Sequence, residues 1–294
     1  MTGTAIGLVL LAALAHAGWN LLAKRASAGG APFVWLYTGL EVVLWAPVAV
    51  GVLLLTESRP GALALALVAG SAVLHTAYFV LLQRGYARGD LSVVYPFARG
   101  VAPLLAVIAA VVVLGEDPAP VALAGAGAVG VGVVWIGWTA RPGAQVRARL
   151  AAPVGYALAT AVMIASYTVW DGFAMQTLAL SPIVYHWAAG VVRMVLLTPM
   201  VARRGADVRS VWRESRGAVA GVAVLAPLAY ILVLVALTLA PVSYVAPARE
   251  ASIVIATALG VSVLGERGAA RGGAGQRVGA AGLVAVGVAL LGLA

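Results

Sequence analysis

The feature that most constrains this chain is a series of ten apolar runs, each about 20 residues long and separated by short polar connections. About 20 apolar residues in a helix cross the hydrocarbon core of a bilayer. Of the 294 residues, 63% are hydrophobic and only 10% are charged, which is too little charge for a water-exposed surface. The sequence therefore predicts an all-α integral membrane protein with ten transmembrane helices, and it argues against a soluble enzyme or a disordered protein. The runs are Thr4–Ala23, Pro32–Leu55, Gly61–Leu82, Leu91–Leu114, Pro120–Trp138, Ala151–Phe173, Ser181–Val201, Gly217–Leu239, Val242–Leu264 and Val278–Ala294.

The first run has a competing interpretation as a cleaved signal peptide, because Ala15-His16-Ala17 resembles a signal-peptidase site. A signal peptide carries basic residues before its apolar stretch, whereas here Lys24 and Arg25 follow it. We therefore expect the first run to be a membrane span. The longest polar connection between runs, from Arg203 to Arg216, leaves no room for a soluble domain.

The two halves of the chain repeat each other. Arg99 precedes Arg249 by 150 residues, and Leu114-Gly115-Glu116 precedes Leu264-Gly265-Glu266 by the same distance. Glycines in the fifth and tenth runs also correspond. Because each unit has an odd number of spans, the second copy enters the membrane upside-down. We predict two inverted five-helix repeats, residues 1–142 and 143–294, an architecture of secondary transporters that bind substrate near the membrane midplane.

The net charge of +9 is explained by topology rather than by a nucleic-acid partner. Apart from Arg59, the Lys and Arg residues of the connections lie in the odd-numbered ones. Cytoplasmic loops carry an excess of Lys and Arg, so this distribution predicts that both termini lie outside the cytoplasm. We therefore expect the chain to be embedded in a lipid bilayer and not to bind nucleic acid.

Charged residues within the runs are functional candidates, because a charge in the bilayer interior costs a few kcal/mol. Arg99 and Arg249 occupy equivalent places in the two repeats. Two guanidinium groups approaching a central cavity would bind a carboxylate or a phosphate of a small-molecule substrate. Alternatively, each arginine extends to the interface or holds helix ends.

The remaining intramembrane charges are Glu41, Arg193, Glu250 and Asp171. Glu250 follows Arg249, and adjacent helical residues point about 100° apart, so we expect Glu250 to face another span and neutralise Arg193 or His75. Glu41 and Arg193 lie in equivalent spans and form an ion pair, or a proton replaces that pairing during a transport cycle. Protonation of Glu250 or Glu41 would couple transport to protons. Asp171 is a further candidate for proton coupling or an ion pair, or it lies at the membrane interface, because it is near the end of its run.

Polar and aromatic side chains of other runs are candidates for lining the cavity. His16, Trp19 and Asn20 share one side of the first helix, where they bind substrate or act as polar contacts between helices. Tyrosines are candidates for the same lining, although they also form belts at membrane interfaces. These tyrosines are Tyr78, Tyr95, Tyr167, Tyr230 and Tyr244.

Several residue types predict local structure instead of chemistry. Pro96, Pro103 and Pro247 kink or break the fourth and ninth runs. The glycines of the fifth and tenth runs allow close helix packing, within one chain or between two copies in a homodimer. Glu116 and Glu266 fall at membrane exits, where we expect them to cap helices or form pairs.

Motifs for other chemistry are missing from the sequence. It has no Walker A, HExxH or GxSxG motif, no cysteine, and no metal-binding spacing of its three histidines. We predict no cofactor and no metal, and a protein that is not an enzyme. The alternative of a different class is an intramembrane enzyme that uses a buried glutamate and a histidine.

Short motifs in a fixed order resemble the EamA-type family of the drug/metabolite transporter superfamily. The motifs are His16-Ala17-Gly18-Trp19-Asn20, Tyr95-Pro96-Phe97-Ala98-Arg99-Gly100, Ala248-Arg249-Glu250-Ala251-Ser252 and the two Leu-Gly-Glu sequences. The resemblance implies a carrier in the bacterial inner membrane that exports amino acids or related metabolites, by proton-linked exchange or facilitated diffusion. Sugar-phosphate and lipid-intermediate carriers are alternatives within the superfamily. The resemblance also implies cytoplasmic termini, opposite to the loop charges.

Overall fold

The computed structural model describes residues 1–26, 29–56, 60–86, 91–138, 151–178, 180–255 and 274–294, and for some of these, chiefly residues 91–97, it describes the backbone alone. Within these ranges the chain forms helices and no strand, which confirms the all-α prediction. The principal helices are α1 (Gly3–Arg25), α2 (Gly30–Leu55), α3 (Ala62–Tyr86), α4 (Leu91–Leu114), α5 (Pro120–Trp138), α6 (Ala151–Thr177), α7 (Pro182–Val201), α8 (Gly205–Leu239), α9 (Val242–Ala248) and α10 (Ala274–Leu293).

The helices expose apolar side chains and bury charged ones, as expected of a protein surrounded by lipid. Leu55 is 86% exposed and Val112 is 77% exposed, whereas Arg249 and Glu250 are buried. Six of the described helices, α1, α2, α3, α6, α7 and α8, are long and apolar enough to cross a membrane. Shorter apolar stretches lie in α4, α5 and α10. The chain is therefore a multi-pass membrane protein, and a total of ten spans stays a prediction.

The helices pack mainly across the two halves of the chain. α1 packs on α8, α3 on α6, α2 on α7, α4 on α6, and α5 on α10. Alanines such as Ala12, Ala106 and Ala236 fill much of the buried core. Small side chains let helix backbones approach closely, which is how membrane helices gain van der Waals contact in the absence of a hydrophobic driving force.

Glycines of α5 and α10 lie in the contact between these two helices within one chain. A Cβ atom on Gly125 would lie 2.8 Å from the carbonyl oxygen of Gly287, and one on Gly132 would lie 2.9 Å from that of Ala280. A Cβ atom on Gly127 or Gly282 would instead meet no atom of the described residues within 4 Å. The prediction of a homodimer through the glycine-rich spans therefore concerns these outer glycines and stays a prediction.

Replacing Gly287 by alanine is expected to lower the free energy of unfolding by about 1–3 kcal/mol through overpacking. The new Cβ would lie 2.6 Å from the carbonyl oxygen of Gly125 and 2.7 Å from Cγ2 of Val129, so α5 and α10 would have to separate. Gly282→Ala on the same helix is the matched control, since its Cβ meets open space. The thermal unfolding of both variants in detergent checks this, and equal stability would contradict the tight α5–α10 contact.

The polar connection predicted between Arg203 and Arg216 is largely helical. α8 begins at Gly205, and its two parts meet at Ser215, which has non-helical torsions of φ −128° and ψ 18°. Val208, Val211 and Trp212 recur at helical spacing among charged residues, which makes this first part amphipathic. Val211 packs against the buried cluster that contains Phe33 and Val219.

The ninth run is interrupted close to Pro247, as its proline predicted. α9 ends at Ala248, Arg249 and Glu250 form a turn, and helical structure resumes at residues 251–255. In this turn Glu250 N–H bonds the carbonyl of Pro247 and Ser252 N–H bonds that of Arg249, each three residues back. Pro247 has no N–H to donate to the preceding turn. The helix break expected from Pro247 therefore lies at Arg249 and Glu250.

Candidate functional site

The two equivalent arginines converge on one carboxylate inside the protein. Arg99 on α4 places Nη2 2.9 Å from Oε2 of Glu250, and Arg249 places Nε 3.8 Å from Oε1 of the same side chain. All three side chains are at most 5% exposed. We call Arg99, Arg249 and Glu250 the arginine cluster. With Glu250 ionised it carries a net charge of +1.

Glu250 contacts a residue of another span, as expected, but two details of that expectation are wrong. Glu250 contacts Arg99 rather than Arg193 or His75, and it lies close to Arg249 rather than turned away from it. The divergence of about 100° applies only within a regular helix. Because the helix is broken at these two residues, their side chains reach the same region.

Of the three predicted residues of α1, His16 lies within electrostatic range of the arginine cluster. His16 interacts electrostatically with Arg99 and Arg249. Its ring meets that of Trp19 edge-on at a centroid distance of 4.8 Å. The side-chain amide of Asn20 donates to the carbonyl of His16 at 2.8 Å, so Asn20 hydrogen-bonds its own helix.

Asp171 is fully buried inside the protein. α6 continues to Thr177, beyond the predicted end at Phe173, and Asp171 is therefore well inside the helix. Its carboxylate accepts hydrogen bonds from Tyr230 OH at 2.5 Å and Tyr185 OH at 2.8 Å, and it contacts Nε2 of His75 at 3.2 Å. We call Asp171, His75, Tyr185 and Tyr230 the aspartate network, which joins α3, α6, α7 and α8.

Glu41 and Arg193 form the ion pair that the sequence offered as one of two alternatives. Arg193 Nη2 lies 2.8 Å from Oε1 of Glu41, and His186 Nε2 lies 3.0 Å from the same oxygen. We call these three residues the Glu41 cluster. It joins α2 to α7 and is connected to the aspartate network, because the rings of His186 and Tyr230 lie 5.5 Å apart.

Three of the five predicted tyrosines surround His75. Tyr167 stacks on its ring at 4.0 Å, Tyr230 meets it edge-on at 5.1 Å, and Tyr78 contacts Tyr167 at 5.8 Å. Tyr244 instead lies near the start of α9, where its oxygen accepts a hydrogen bond from Ala119 N–H at 3.2 Å. The side chain of Tyr95 lies outside the described residues.

Glu116 caps a helix, as the sequence predicted. Gly115 ends α4 with φ +69°, a conformation that favours glycine, and Glu116 N–H bonds the carbonyl of Ala110 six residues back. The carboxylate of Glu116 accepts hydrogen bonds from the N–H groups of Val242 at 2.7 Å and Ser243 at 2.8 Å. It therefore satisfies backbone donors at the start of α9 and ties the first half of the chain to the broken helix. Glu266 lies outside the described residues.

His75 and His186 are ionisable residues inside apolar runs, which makes them functional candidates by default. The sequence assigned neither of them a substrate-binding or coupling role, and it did not select Tyr185. Tyr185 carried no signal beyond its position next to His186. Its role depends on the packing of α7 against α3 and α6.

Buried charged pairs inside an envelope of lipid-facing apolar side chains define a polytopic membrane protein with a polar interior. Residues 3–138 match the EamA-like transporter family, so the first half of the chain is EamA-like. The family resemblance predicted from the sequence motifs is confirmed. The members of this family are membrane transporters.

A protein of known crystal structure shares the fold with a TM-score of 0.77 at 19% sequence identity. The match covers 100% of this chain and 98% of the other. No curated protein matches the chain significantly in sequence.

Proposed function

We propose that this protein is a secondary transporter that moves a small organic anion or zwitterion, such as an amino acid, by alternating access. The observation that carries the proposal is the convergence of Arg99 and Arg249 on Glu250 in the buried interior. A substrate carboxylate has the charge and geometry to replace Glu250 as their partner, because a guanidinium group offers paired donors to a carboxylate.

The helix break at Arg249 and Glu250 supports a binding site at this position. Discontinuous helices with polar backbone and charged side chains form substrate sites near the midplane in secondary transporters. His16 and Tyr230 lie within electrostatic reach of Arg249, so the first and eighth helices contribute to the same surroundings. Trp19, Tyr78 and Tyr167 are proposed to shape the cavity beside this site.

The packing of the helices supports two inverted five-helix repeats. When each helix number is advanced by five, the contact of α1 with α8 becomes that of α6 with α3, and the contact of α4 with α6 becomes that of α9 with α1. All four contacts occur, and α2–α7 and α5–α10 map onto themselves. We propose residues 1–142 and 143–294 as the repeats, which rock against each other to expose the site alternately to each side.

The cellular setting and direction of transport rest on the family resemblance. We propose the bacterial cytoplasmic membrane and export of the substrate. For orientation we keep the loop charges as the guide, which put both termini outside.

Uptake into proteoliposomes tests the proposed substrate class. A panel of radiolabelled amino acids, phosphorylated sugars and hydrophobic cations is offered to wild type, Arg99→Gln and Arg249→Gln. Each arginine variant is expected to lower anion or zwitterion uptake by about 10- to 100-fold, since a hydrogen bond to a charged group contributes about 1.5–3 kcal/mol. Arg209→Gln, at an exposed position on α8, is the matched control and should transport normally.

Two outcomes would reject the anion site. One is uptake restricted to hydrophobic cations, and the other is full anion uptake by Arg99→Gln and Arg249→Gln. Failure of every solute together with hydrolysis of an added lipid or peptide would favour the intramembrane enzyme.

A further inference from the structure

The aspartate network contains a buried negative charge that the arginine cluster does not use. Asp171 is 0% exposed and accepts hydrogen bonds from groups on three other helices, which favours its ionised form. Within the part of the chain that the structure describes, its ion-pairing contact is with His75, and no lysine or arginine forms a salt bridge with it. With a neutral His75, the pair carries a net charge of −1 in the protein interior.

Among the described residues, the other two buried acidic groups already have cationic partners. Glu250 contacts both Arg99 and Arg249, and Glu41 contacts Arg193. Their clusters carry +1 and 0, respectively, when the histidines are neutral. The net charge of −1 on the aspartate network balances the net charge of +1 on the arginine cluster while the substrate site is empty. A monoanion that enters the site upsets this balance by one charge.

His75 has the geometry to accept one proton. An ionised carboxylate only accepts hydrogen bonds, so the contact between His75 Nε2 and Oδ2 of Asp171 assigns the hydrogen to Nε2 and leaves Nδ1 as the acceptor of an incoming proton. The His75 side chain is 12% exposed, whereas Asp171 is enclosed. The hydrogen-bond donors around Asp171 occupy the carboxylate, which disfavours a metal ion there and leaves the imidazole as the site of charge change.

We propose that the His75–Asp171 pair is a proton-binding site whose occupancy is coupled to anion binding at the arginine cluster. A proton taken from water forms a bond to Nδ1 of His75, and the resulting imidazolium neutralises Asp171. Tyr230 links the two sites, because its hydroxyl donates to Asp171 while it interacts electrostatically with Arg249. This coupling rests on the proposed transport function, but the proton site itself does not.

Other ionisable groups surround His75 and set the conditions for its protonation. Burial opposes a positive charge on His75, Asp171 favours it, and Arg193 and His186 oppose it electrostatically. Glu41 also interacts with it and partly offsets Arg193. The ionisable side chains that face it are Asp171 and Tyr167 of α6, Glu41 of α2, Tyr185, His186 and Arg193 of α7, and Tyr230 of α8.

Nitrogen NMR of the purified, full-length protein tests the proton site without any substrate. The chain has three histidines, so ¹⁵N-histidine labelling gives three pairs of ring-nitrogen signals, and His75→Gln identifies the pair from His75. In wild type we expect the His75 ring to change from singly to doubly protonated between about pH 8 and pH 5. Asp171→Asn should keep it singly protonated over that range, while the exposed Asp207→Asn is a matched control that leaves the transition unchanged.

The wild-type spectrum alone decides the proposal even where Asp171→Asn fails to fold. A His75 ring that stays singly protonated throughout, or an unchanged transition in folded Asp171→Asn, would overturn the proton site. The same spectra of His186 supply a comparison, because Glu41 beside it is already paired with Arg193.

Transport assays then test the coupling separately. In proteoliposomes, His75→Gln should retain exchange of labelled for unlabelled substrate but lose the acceleration of uptake by an imposed pH gradient. Loss of exchange together with loss of the gradient effect would reject the coupling role. Absence of transport in wild type, with a normal His75 transition, would reject the transport function and leave the proton site standing.

Discussion

Glu250→Leu is expected to lower the free energy of unfolding by about 3–5 kcal/mol, because breaking a buried ion pair leaves uncompensated charge. The substitution would strand both Arg99 and Arg249, each 4% exposed, without the carboxylate that they share. Chemical or thermal unfolding in detergent measures the loss. A change below about 1 kcal/mol would show that water or lipid headgroups solvate the arginines, contrary to their burial.

The control for this substitution is Glu214→Leu, at an exposed position on α8 where Glu214 accepts a hydrogen bond from Ser210. It also removes one negative charge, so both variants have the same net charge. It should change the free energy of unfolding by no more than about 0.5 kcal/mol. A small carboxylate added to Glu250→Leu should restore part of the lost stability, since a ligand that binds only the folded state stabilises it. No gain from carboxylates, with a gain from hydrophobic cations, would contradict an anion site.

Glu41→Leu is expected to cost a similar amount, about 3–5 kcal/mol, because it leaves Arg193 buried without its partner. The double variant Glu41→Leu/Arg193→Met should recover most of that loss, because well-packed apolar residues of similar volume replace a buried ion pair at little or no cost. Unfolding of the two single variants and the double variant forms a double-mutant cycle that isolates the pair energy.

The same double variant separates the two sequence-based interpretations of Glu41 and Arg193. A structural ion pair predicts that a folded double variant retains transport and its pH dependence. Loss of the pH dependence with intact exchange would instead assign proton coupling to Glu41. Recovery of stability with no recovery of transport would show that the pair has a role in the transport cycle.

The sequence predicted the contacts of some buried charged residues but not those of others, for a physical reason. The Glu41–Arg193 pair followed from equivalent positions in two predicted repeats, because equivalent spans α2 and α7 pack on each other. The burial of Asp171 was not predicted, because its run was expected to end at Phe173 whereas α6 extends to Thr177. The predicted partner of Glu250 was wrong because the directions of the Arg249 and Glu250 side chains were inferred from a regular helix, whereas these two residues form a turn.

The sequence determined by itself that the described part of this protein is helical and multi-pass and that residues 3–138 are EamA-like, because apolar run length and short ordered motifs are local properties of the chain. It also located the intramembrane charges and the capping role of Glu116. Only the tertiary structure decided which charges meet. The break after Ala248 brings Arg249 and Glu250 to Arg99, and the contacts of α6 with α3 and α8 bring Asp171 to His75 and Tyr230. These pairings depend on helix breaks and on contacts between residues far apart in the chain, neither of which is specified by hydrophobic periodicity.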